Sequence, residues 1–338
     1  MTFNLIGHSS FIAEEFDEIV LSQDQNKKVV SGIINLDKDS NYYPSRSDEK
    51  VMRDDVKMSV VTVQKLLNDS HLSKSEIEKM SLYVANGAFI QYFQKHMSRV
   101  LRVYKELQGV MGELNRKKIY RASPPLLALE TLTNSNMSFI SQYGGIKGNN
   151  TTYGNTSIGA YYAIQRACKD LLNGIENSIV CASNSSGTYS QISIGSAMNS
   201  SFFKESSAGA NLLFSSKKIE NKKPICKITN MNHSKIVPNI YQKFVERNWS
   251  QLLEKNQSDQ LIFSGAIDDE TFDKDYSYLT KIHSNIFSLY PKYGSLGASS
   301  IPLGIIQGIK YVQEGSNVVD IVDRDLYGRE SLIRIERC

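Results

Sequence analysis

Residues 148–174 read GNNTTYGNTSIGAYYAIQRACKDLLNG, and this stretch decides how the chain folds. Its segment 151–153 is β-branched and aromatic and favours a short buried strand. The Gly154-Asn155 pair then gives the backbone the freedom of a tight turn. Beyond it, apolar residues recur at helical spacing until the final glycine, a typical helix C-cap. The stretch therefore predicts a strand that bends sharply into a helix, with Ser157 at the bend.

Ser157 has two interpretations at this point. It either caps the helix as a small polar residue or acts as a nucleophile. A helix N-terminus stabilises an anion by only about 0.3 to 2 kcal/mol, which does not activate a hydroxyl, so a serine nucleophile needs a base such as histidine. The five histidines are His8, His71, His96, His233 and His283, and none lies in a motif typical of a catalytic base.

Composition excludes several classes of protein. The chain has 338 residues, of which 41% are hydrophobic and 22% charged, so it can bury a large core. A net charge of +4 is too small to indicate nucleic-acid binding. No apolar run is long enough to predict a membrane span, and the N-terminus does not resemble a secretion signal. The four cysteines lack metal-ligand or disulfide spacing, so we expect a cytoplasmic protein without metal or cofactor.

Helical and strand patterns alternate along the chain, which is typical of a layered α/β protein. Ser73 and Glu76 have the spacing of a capping box. Helices are predicted at 54–67, 240–253 and 301–312, and strands at 3–6, 29–34, 80–85, 178–183, 208–214, 225–228, 260–263, 318–322 and 332–335.

A basic, helical segment occupies residues 89–118. Its cations form either a solvated helical face or a docking surface for an acidic protein. The candidate docking residues are Lys95, Arg99, Arg102, Arg116 and Lys117.

A second bend is predicted near the end of the chain. Residues 292–303 read KYGSLGASSIPL, a Gly- and Ser-rich turn that leads into the apolar helix at 301–312. The second half of the chain thus repeats the first half's order of strand, turn and helix.

The first bend resembles the nucleophile loop of the β-ketoacyl synthases, of the thiolase superfamily. The family pattern G-P-N-x-T-x-x-x-A-C-A-x-x-x-x-A-I is matched at Gly148, Asn150, Thr152, Ala163 and Ile164. Ser157 stands where the family has its acyl-accepting cysteine.

The tail resembles the K-Y-G-N-T-S-A-A-S-I-P-L loop of chain-initiating ketoacyl synthases, with Ser295 in place of an asparagine. Ser264 stands where a catalytic histidine is expected. The resemblance implies an α/β, thiolase-like, layered α-β-α-β-α fold made of two similar βαβ-rich halves. It places these halves at residues 1–215, with a helical insertion around 89–135, and at 216–338.

With serine at all three reactive positions, the resemblance implies a fold that has lost its condensing chemistry. The family uses such chains as chain length factors, which pair with an active β-ketoacyl synthase, shape the acyl tunnel and work with an acyl carrier protein. Aryl polyene systems also use such pairs. Candidate tunnel residues are Tyr153, Tyr161, Tyr162, Phe89 and Phe93, which otherwise are ordinary core aromatics.

Two other hypotheses stay open. The first is a serine acyltransferase or hydrolase, because residues 155–159 are one glycine short of the G-x-S-x-G elbow. It requires His233 or His283 beside Ser157. The second is a non-catalytic homodimer that binds an acyl thioester; it predicts a protein stable alone, whereas a chain length factor exposes an apolar surface without its partner.

Overall fold

The computed structural model describes most of the chain. The described residues are 3–13, 15–20, 28–33, 40–87, 102–107, 112, 116–118, 121, 132, 134–154, 156–185, 202–217, 223–234, 249, 252–253, 258–266, 268–325 and 328–338.

The described strands of the main sheet are β1 (Phe3–Ile12), β4 (Ser81–Asn86), β5 (Asn150–Tyr153), β6 (Asn177–Asn184), β8 (Ala208–Ser215), β9 (Cys226–His233), β10 (Gln260–Gly265), β11 (Ile286–Ser288), β12 (Val318–Arg324) and β13 (Glu330–Glu336). In the described part of the chain they form one ten-stranded mixed sheet in the order β11-β10-β12-β13-β9-β1-β8-β6-β4-β5. A separate three-stranded sheet joins β2 (Glu15–Val20), β3 (Lys28–Ile33) and β7 (Phe202–Ser206).

The large sheet consists of two similar halves. In the first half, β5, β4 and β6 are parallel neighbours, and β8 and β1 follow with antiparallel pairing. In the second half, β11, β10 and β12 are parallel, and β13 and β9 follow with antiparallel pairing. Antiparallel pairing of β1 with β9 joins the halves. The repeat inferred from the order of elements along the sequence is therefore present in the sheet.

The helices of the described residues are α1 (Arg46–Glu49), α2 (Asp54–Asn68), α3 (Lys74–Lys79), α4 (Ser135–Gly144), α5 (Ser157–Leu172), α6 (Asp269–Ile282), α7 (Tyr290–Tyr293) and α8 (Ser300–Glu314). Of these, α2, α5 and α8 begin and end close to the positions that the sequence predicts. The capping box of Ser73 and Glu76 is present at the start of α3. Gly315, with φ of 122°, ends α8 in a conformation that favours glycine.

Three apolar clusters build the layers. The largest joins α5 and α8 to one face of both halves of the sheet, so these helices form the central layer. On the opposite face, α2 and α4 cover the first half. The second half is covered there by α6 and Trp249, the only tryptophan, which is fully buried. Its indole Nε1 donates to Asp275 at 3.1 Å, and the Arg324 guanidinium lies 5.6 Å from its ring.

Two expectations from the sequence need correction. The strand at 151–153 was expected to be buried, but β5 lies at the edge of the sheet, with Asn150 and Thr151 exposed. The helix α6, whose start is capped by Asp268 and Thr271, was not predicted from the sequence. Of the helix predicted at 240–253, only Trp249, 252 and 253 are described, and all are helical; the rest lies outside the described residues.

Candidate functional site at the bend before α5

The bend between β5 and α5 places Ser157 in the interior. Thr156 is the N-cap residue, and its backbone is extended. Ser157 is the first helical residue and is only 4% exposed. Its Oγ has no hydrogen-bond partner among the described residues, and neither side chain caps the helix. The interpretation of Ser157 as a capping serine is therefore wrong.

A buried carboxyl group lies beside Ser157. Asp323 is near the end of β12 and is 1% exposed. Ser300, the first residue of α8, donates to Asp323 Oδ2 at 2.6 Å, and Ser264 of β10 donates to the same oxygen at 3.1 Å. Ser157 lies close to this carboxyl without the geometry of a hydrogen bond. Gly265 completes the enclosure, because a Cβ there would lie 2.1 Å from Asp323 Oδ2.

Burial raises the pKa of Asp323 to about 6. This value already includes the hydroxyls of Ser157, Ser300 and Ser264, which lower the pKa by stabilising the carboxylate, and the negative charge of nearby Asp325, which raises it. We call Asp323 with Ser157, Ser264 and Ser300 the serine-carboxyl cluster. It joins α5 of the first half to β10, β12 and α8 of the second half.

A second contact fixes the bend against the turn after β12. Thr156 Oγ1 donates to Asp325 Oδ2 at 3.1 Å. Arg329 Nε donates to the same carboxylate at 2.7 Å, and its Nη2 donates to Thr156 Oγ1 at 3.2 Å. The position of Ser157 is therefore set by neighbours on both sides.

The third predicted reactive position, Ser295, lies in a different environment. Its backbone N–H donates to the carbonyl of Lys204 at 2.8 Å, and its carbonyl accepts from Ser206 at 3.1 Å. Within the described residues Ser295 makes no hydrogen bond to the serine-carboxyl cluster, to which the tail contributes Ser300 instead. The turn at Gly297–Ser299 nevertheless packs against α5, so the two predicted bends are neighbours.

In the described structure, neither of the two candidate histidine bases makes a hydrogen bond to Ser157; both pack against other residues. His233, on β9, stacks on Tyr161 with ring centroids 5.3 Å apart and meets Tyr162 edge-on at 5.5 Å. His283 Nε2 lies 3.1 Å from Ser258 Oγ, before the start of β10, whereas Ser264 lies near that strand's end. Asp323 is thus the ionisable group that the structure brings to Ser157.

The predicted tunnel aromatics lie in two environments. Tyr161 is 1% exposed and belongs to the central core, where burial raises its pKa to about 12. Tyr153 and Tyr162 line a surface concavity of about 500 Å³ together with Arg166. Phe89 and Phe93 lie outside the described residues.

The predicted docking residues are only partly described. Three of them, Arg102, Arg116 and Lys117, are helical and exposed. Lys95 and Arg99 lie outside the described residues. Within the described part of the chain, no helix has the length and apolar character needed to cross a membrane.

The missed site residues carried one usable signal. Asp323 directly follows the strand predicted at 318–322, at the carboxyl end where side chains of α/β sheets commonly form sites. Ser300 stood inside the quoted tail motif, but nothing in the sequence distinguishes it from its neighbouring serine.

The layered fold and its central helices are similar to those of solved ketosynthase structures. One similar chain belongs to a structure described as a type II PKS acyl-carrier protein in complex with its ketosynthase bound to the hexaketide. It aligns with a TM-score of 0.73 and 15% sequence identity, over 100% of this chain and 99% of that chain. A chain of the ishigamide ketosynthase/chain length factor aligns with a TM-score of 0.76 and 11% identity, over 100% of this chain and 99% of that chain. Ketosynthase twelve from the bacillaene polyketide synthase of Bacillus amyloliquefaciens aligns with a TM-score of 0.68 and 11% identity, over 100% of this chain and 73% of that chain.

These identities are low, so the similarity shows the fold. No family model and no curated protein matches the sequence. The thiolase-like fold that the two sequence motifs predict is confirmed.

Proposed function

We propose that the chain is a non-catalytic, ketosynthase-like subunit that pairs with an active β-ketoacyl synthase and shapes its acyl tunnel in type II polyketide, fatty-acid-like or aryl polyene biosynthesis. The serine-carboxyl cluster carries the proposal. It occupies the bend where the resemblance expects a thiolate and its hydrogen-bond donors. The similarity to a ketosynthase/chain length factor structure supports the same assignment.

The chemistry of this cluster opposes condensation. A decarboxylative condensation needs a nucleophilic thiolate and donors that stabilise a developing enolate and oxyanion. Ser157 offers a hydroxyl without an imidazole, and losing a single oxyanion donor alone costs about 10² to 10³ in rate. Asp323, when ionised above its pKa of about 6, repels an anionic intermediate instead of stabilising it. The site retains the shape of the bend without the groups that perform the reaction.

The exposed edge strand β5 supports pairing of this chain with a partner subunit. Among the described strands, β5 pairs only with β4, so its outer backbone edge is open to another strand. Its residues Asn150 and Thr151 are exposed. An added chain would extend the sheet beyond β5 and lie close to the bend that positions Ser157. The acyl carrier protein proposed to use Arg102, Arg116 and Lys117 would then dock on the assembled pair.

Co-expression with an active ketosynthase from the same gene cluster tests the proposal. We expect a one-to-one heterodimer, seen by native mass spectrometry, whose condensing activity requires this chain and is unchanged by Ser157→Ala. Replacement of the partner's own nucleophilic cysteine is the matched control and should abolish activity.

Two results would contradict the proposal. One is a homodimer that becomes acylated at Ser157 when incubated with acyl thioester, detected as a mass shift absent from Ser157→Ala. The other is a ketosynthase that is fully active and stable without this chain.

A further inference from the structure

The outward face of α5 bears a stripe of side chains that the proposed function does not explain. Tyr162, Gln165, Arg166, Lys169 and Leu172 follow one another at helical spacing, and all are exposed except the half-buried Tyr162. We call these five residues the α5 face. Leu172 is 53% exposed, the largest value among the described large hydrophobic side chains.

Two concavities flank the α5 face. On the β5 side, a concavity of about 500 Å³ is lined by Tyr153, Tyr162 and Arg166. On the β9 side, one of about 320 Å³ is mainly apolar and is lined by Leu172, Met231 and other residues. Gln165 and Lys169 line both. The face therefore combines aromatic and apolar surface with a basic ridge, and it adjoins the open edge of β5.

The basic ridge consists of Arg166 and Lys169, and the first of these is held in place by a buried acid. Arg166 Nε lies 3.3 Å from Asp170 Oδ1, and Asp170 is buried and also accepts from Ser81. The Arg166 side chain nevertheless remains 46% exposed. Lys169 has no ion-pair partner within the described residues. The ridge therefore presents one anchored and one uncompensated cation without an exposed acid among the five residues.

We propose that the α5 face binds a ketosynthase-like partner chain whose opposing surface carries carboxylates, and that it disfavours a second copy of this chain. This inference rests on the proposed function and names the chemistry of the partner. Complementary charge at an interface rim selects the right partner, and like charge rejects a wrong one.

Two-fold symmetry explains the selection against self-pairing. Suppose that two copies joined through antiparallel β5 strands. Each α5 face would then meet its own copy, because a two-fold interface brings the same patch together from both subunits. The cations at Arg166 and Lys169 would face a second set of cations across the interface. An acidic partner removes this repulsion and covers the exposed Leu172 and the neighbouring apolar concavity.

Mixing this chain with a charge-reversed variant of itself tests the inference. The variant is Arg166→Glu/Lys169→Glu, with Lys169→Glu alone as a second variant that keeps the Arg166–Asp170 pair. Lys281→Glu/Lys310→Glu, at two exposed lysines on α6 and α8, changes the net charge equally and is the matched control. Thermal melting first establishes that each variant folds. Sedimentation equilibrium then measures association at about 50 mM and about 500 mM salt.

We expect the wild type alone to self-associate weakly at low salt. Its mixture with either α5-face variant should associate about tenfold more tightly, a gain that shrinks at high salt because the charges are screened. The control variant should show no such gain. A wild-type dimer that is as tight as the mixture, or a mixture that does not associate, would overturn the inference.

A second arm separates this inference from the proposed function. The co-expressed active ketosynthase should bind Lys169→Glu about tenfold more weakly than wild type at low salt. If it binds both equally, the acidic-partner inference fails and the proposed function stands. If no ketosynthase binds while the charge-reversed mixture behaves as expected, the proposed function fails and the charge selectivity of the α5 face stands.

Discussion

The two halves of the molecule each bury an aspartate against the central layer, but they treat its charge differently. Asp170 of α5 is 2% exposed, pairs with Arg166 and accepts hydrogen bonds from Ser81 and Tyr83. Asp323 of β12 is 1% exposed and meets only serine hydroxyls, with no cation paired to it in the described structure. The first arrangement anchors a helix to the sheet. The second leaves a buried charge uncompensated at the position where the fold's chemistry is expected.

Other buried aspartates resemble Asp170. An arginine forms an ion pair with each of Asp55, Asp275, Asp320 and Asp325. Asp268, which is buried and caps α6, also has no paired cation, so among the buried aspartates within the described helices and strands Asp323 is the one that lacks it. The contrast can be tested by removing or altering charges at both kinds of site.

The largest effect is expected where a buried cation is removed. Arg324 is 3% exposed and pairs with Asp275 and Glu330, both buried. Arg324→Met should lower the free energy of unfolding by about 3 to 5 kcal/mol, because two carboxylates are left without their cation. Urea denaturation measures this. Arg337→Met, at an exposed site, is the control and should change the value by less than about 0.5 kcal/mol. An Arg324→Met loss as small as the control's would contradict the prediction.

Removing the charge of Asp323 is expected to raise the free energy of unfolding at neutral pH instead of lowering it. Its folded pKa of about 6 lies above the ordinary 3.8, so the folded state holds the proton more tightly and loses stability as pH rises through this window. At about pH 7.5 the lost stability is on the order of 2 to 3 kcal/mol, which Asp323→Asn should recover, with the gain vanishing near pH 4. Urea denaturation across this range measures it.

Asp320→Asn is the matched control, since Asp320 lies on the same strand but pairs with Arg334 at 2.8 Å. It should destabilise the protein by about 1 to 3 kcal/mol at neutral pH. Equal effects of the two substitutions would show that the arginine pairing does not distinguish the two sites.

Crowding at the serine-carboxyl cluster gives a smaller effect. Gly265→Ala places a methyl group against Asp323 Oδ2 and should cost about 1 to 3 kcal/mol. Gly112→Ala, where nothing lies within 4 Å of the added carbon, should be close to neutral. Denaturation of both variants, and of Gly265→Ala combined with Asp323→Ser, is the measurement. An additive double variant would show that the glycine is not required by this carboxyl.

The smallest effects separate two serines of the same cluster. Ser300→Ala removes the 2.6 Å hydrogen bond to Asp323 and should cost about 1 kcal/mol while raising the pKa of that carboxyl further. Ser157→Ala removes a hydroxyl that lies close to Asp323 without the geometry of a hydrogen bond, and should change stability by less than about 0.5 kcal/mol. Thermal unfolding of the two variants measures the difference; a larger loss at Ser157 would show that it bonds to Asp323.

Apolar runs and caps made much of the fold predictable. The helices α2, α5 and α8 and the buried strands β6, β8 and β12 follow from periodicity, and the capping box of α3 follows from two residues. The edge position of β5 was not predictable, because β-branched residues favour edge and central strands alike. The helix α6 was missed although Phe272, Tyr276 and Leu279 recur at helical spacing, because most of its residues are polar and its apolar face is partly built of tyrosine.

The site was predictable only in part, since it is assembled across both halves. The family motifs identified Ser157 and Ser264, which the fold brings to one carboxyl. Asp323 and Ser300 enter through strand order and helix packing, which single-sequence patterns do not contain. Ser295 is the counterexample: it matches the motif, yet its backbone pairs with the strand β7.

The single tryptophan gives the molecule a built-in fluorescent reporter. Trp249 is buried against α6 and hydrogen-bonded to Asp275, so its emission follows the packing of the second half alone. Circular dichroism at helical wavelengths follows α5 of the first half as well. Coincident transitions by the two signals would show that the halves unfold as one cooperative unit, whereas an earlier loss of tryptophan emission would show that the second half opens first.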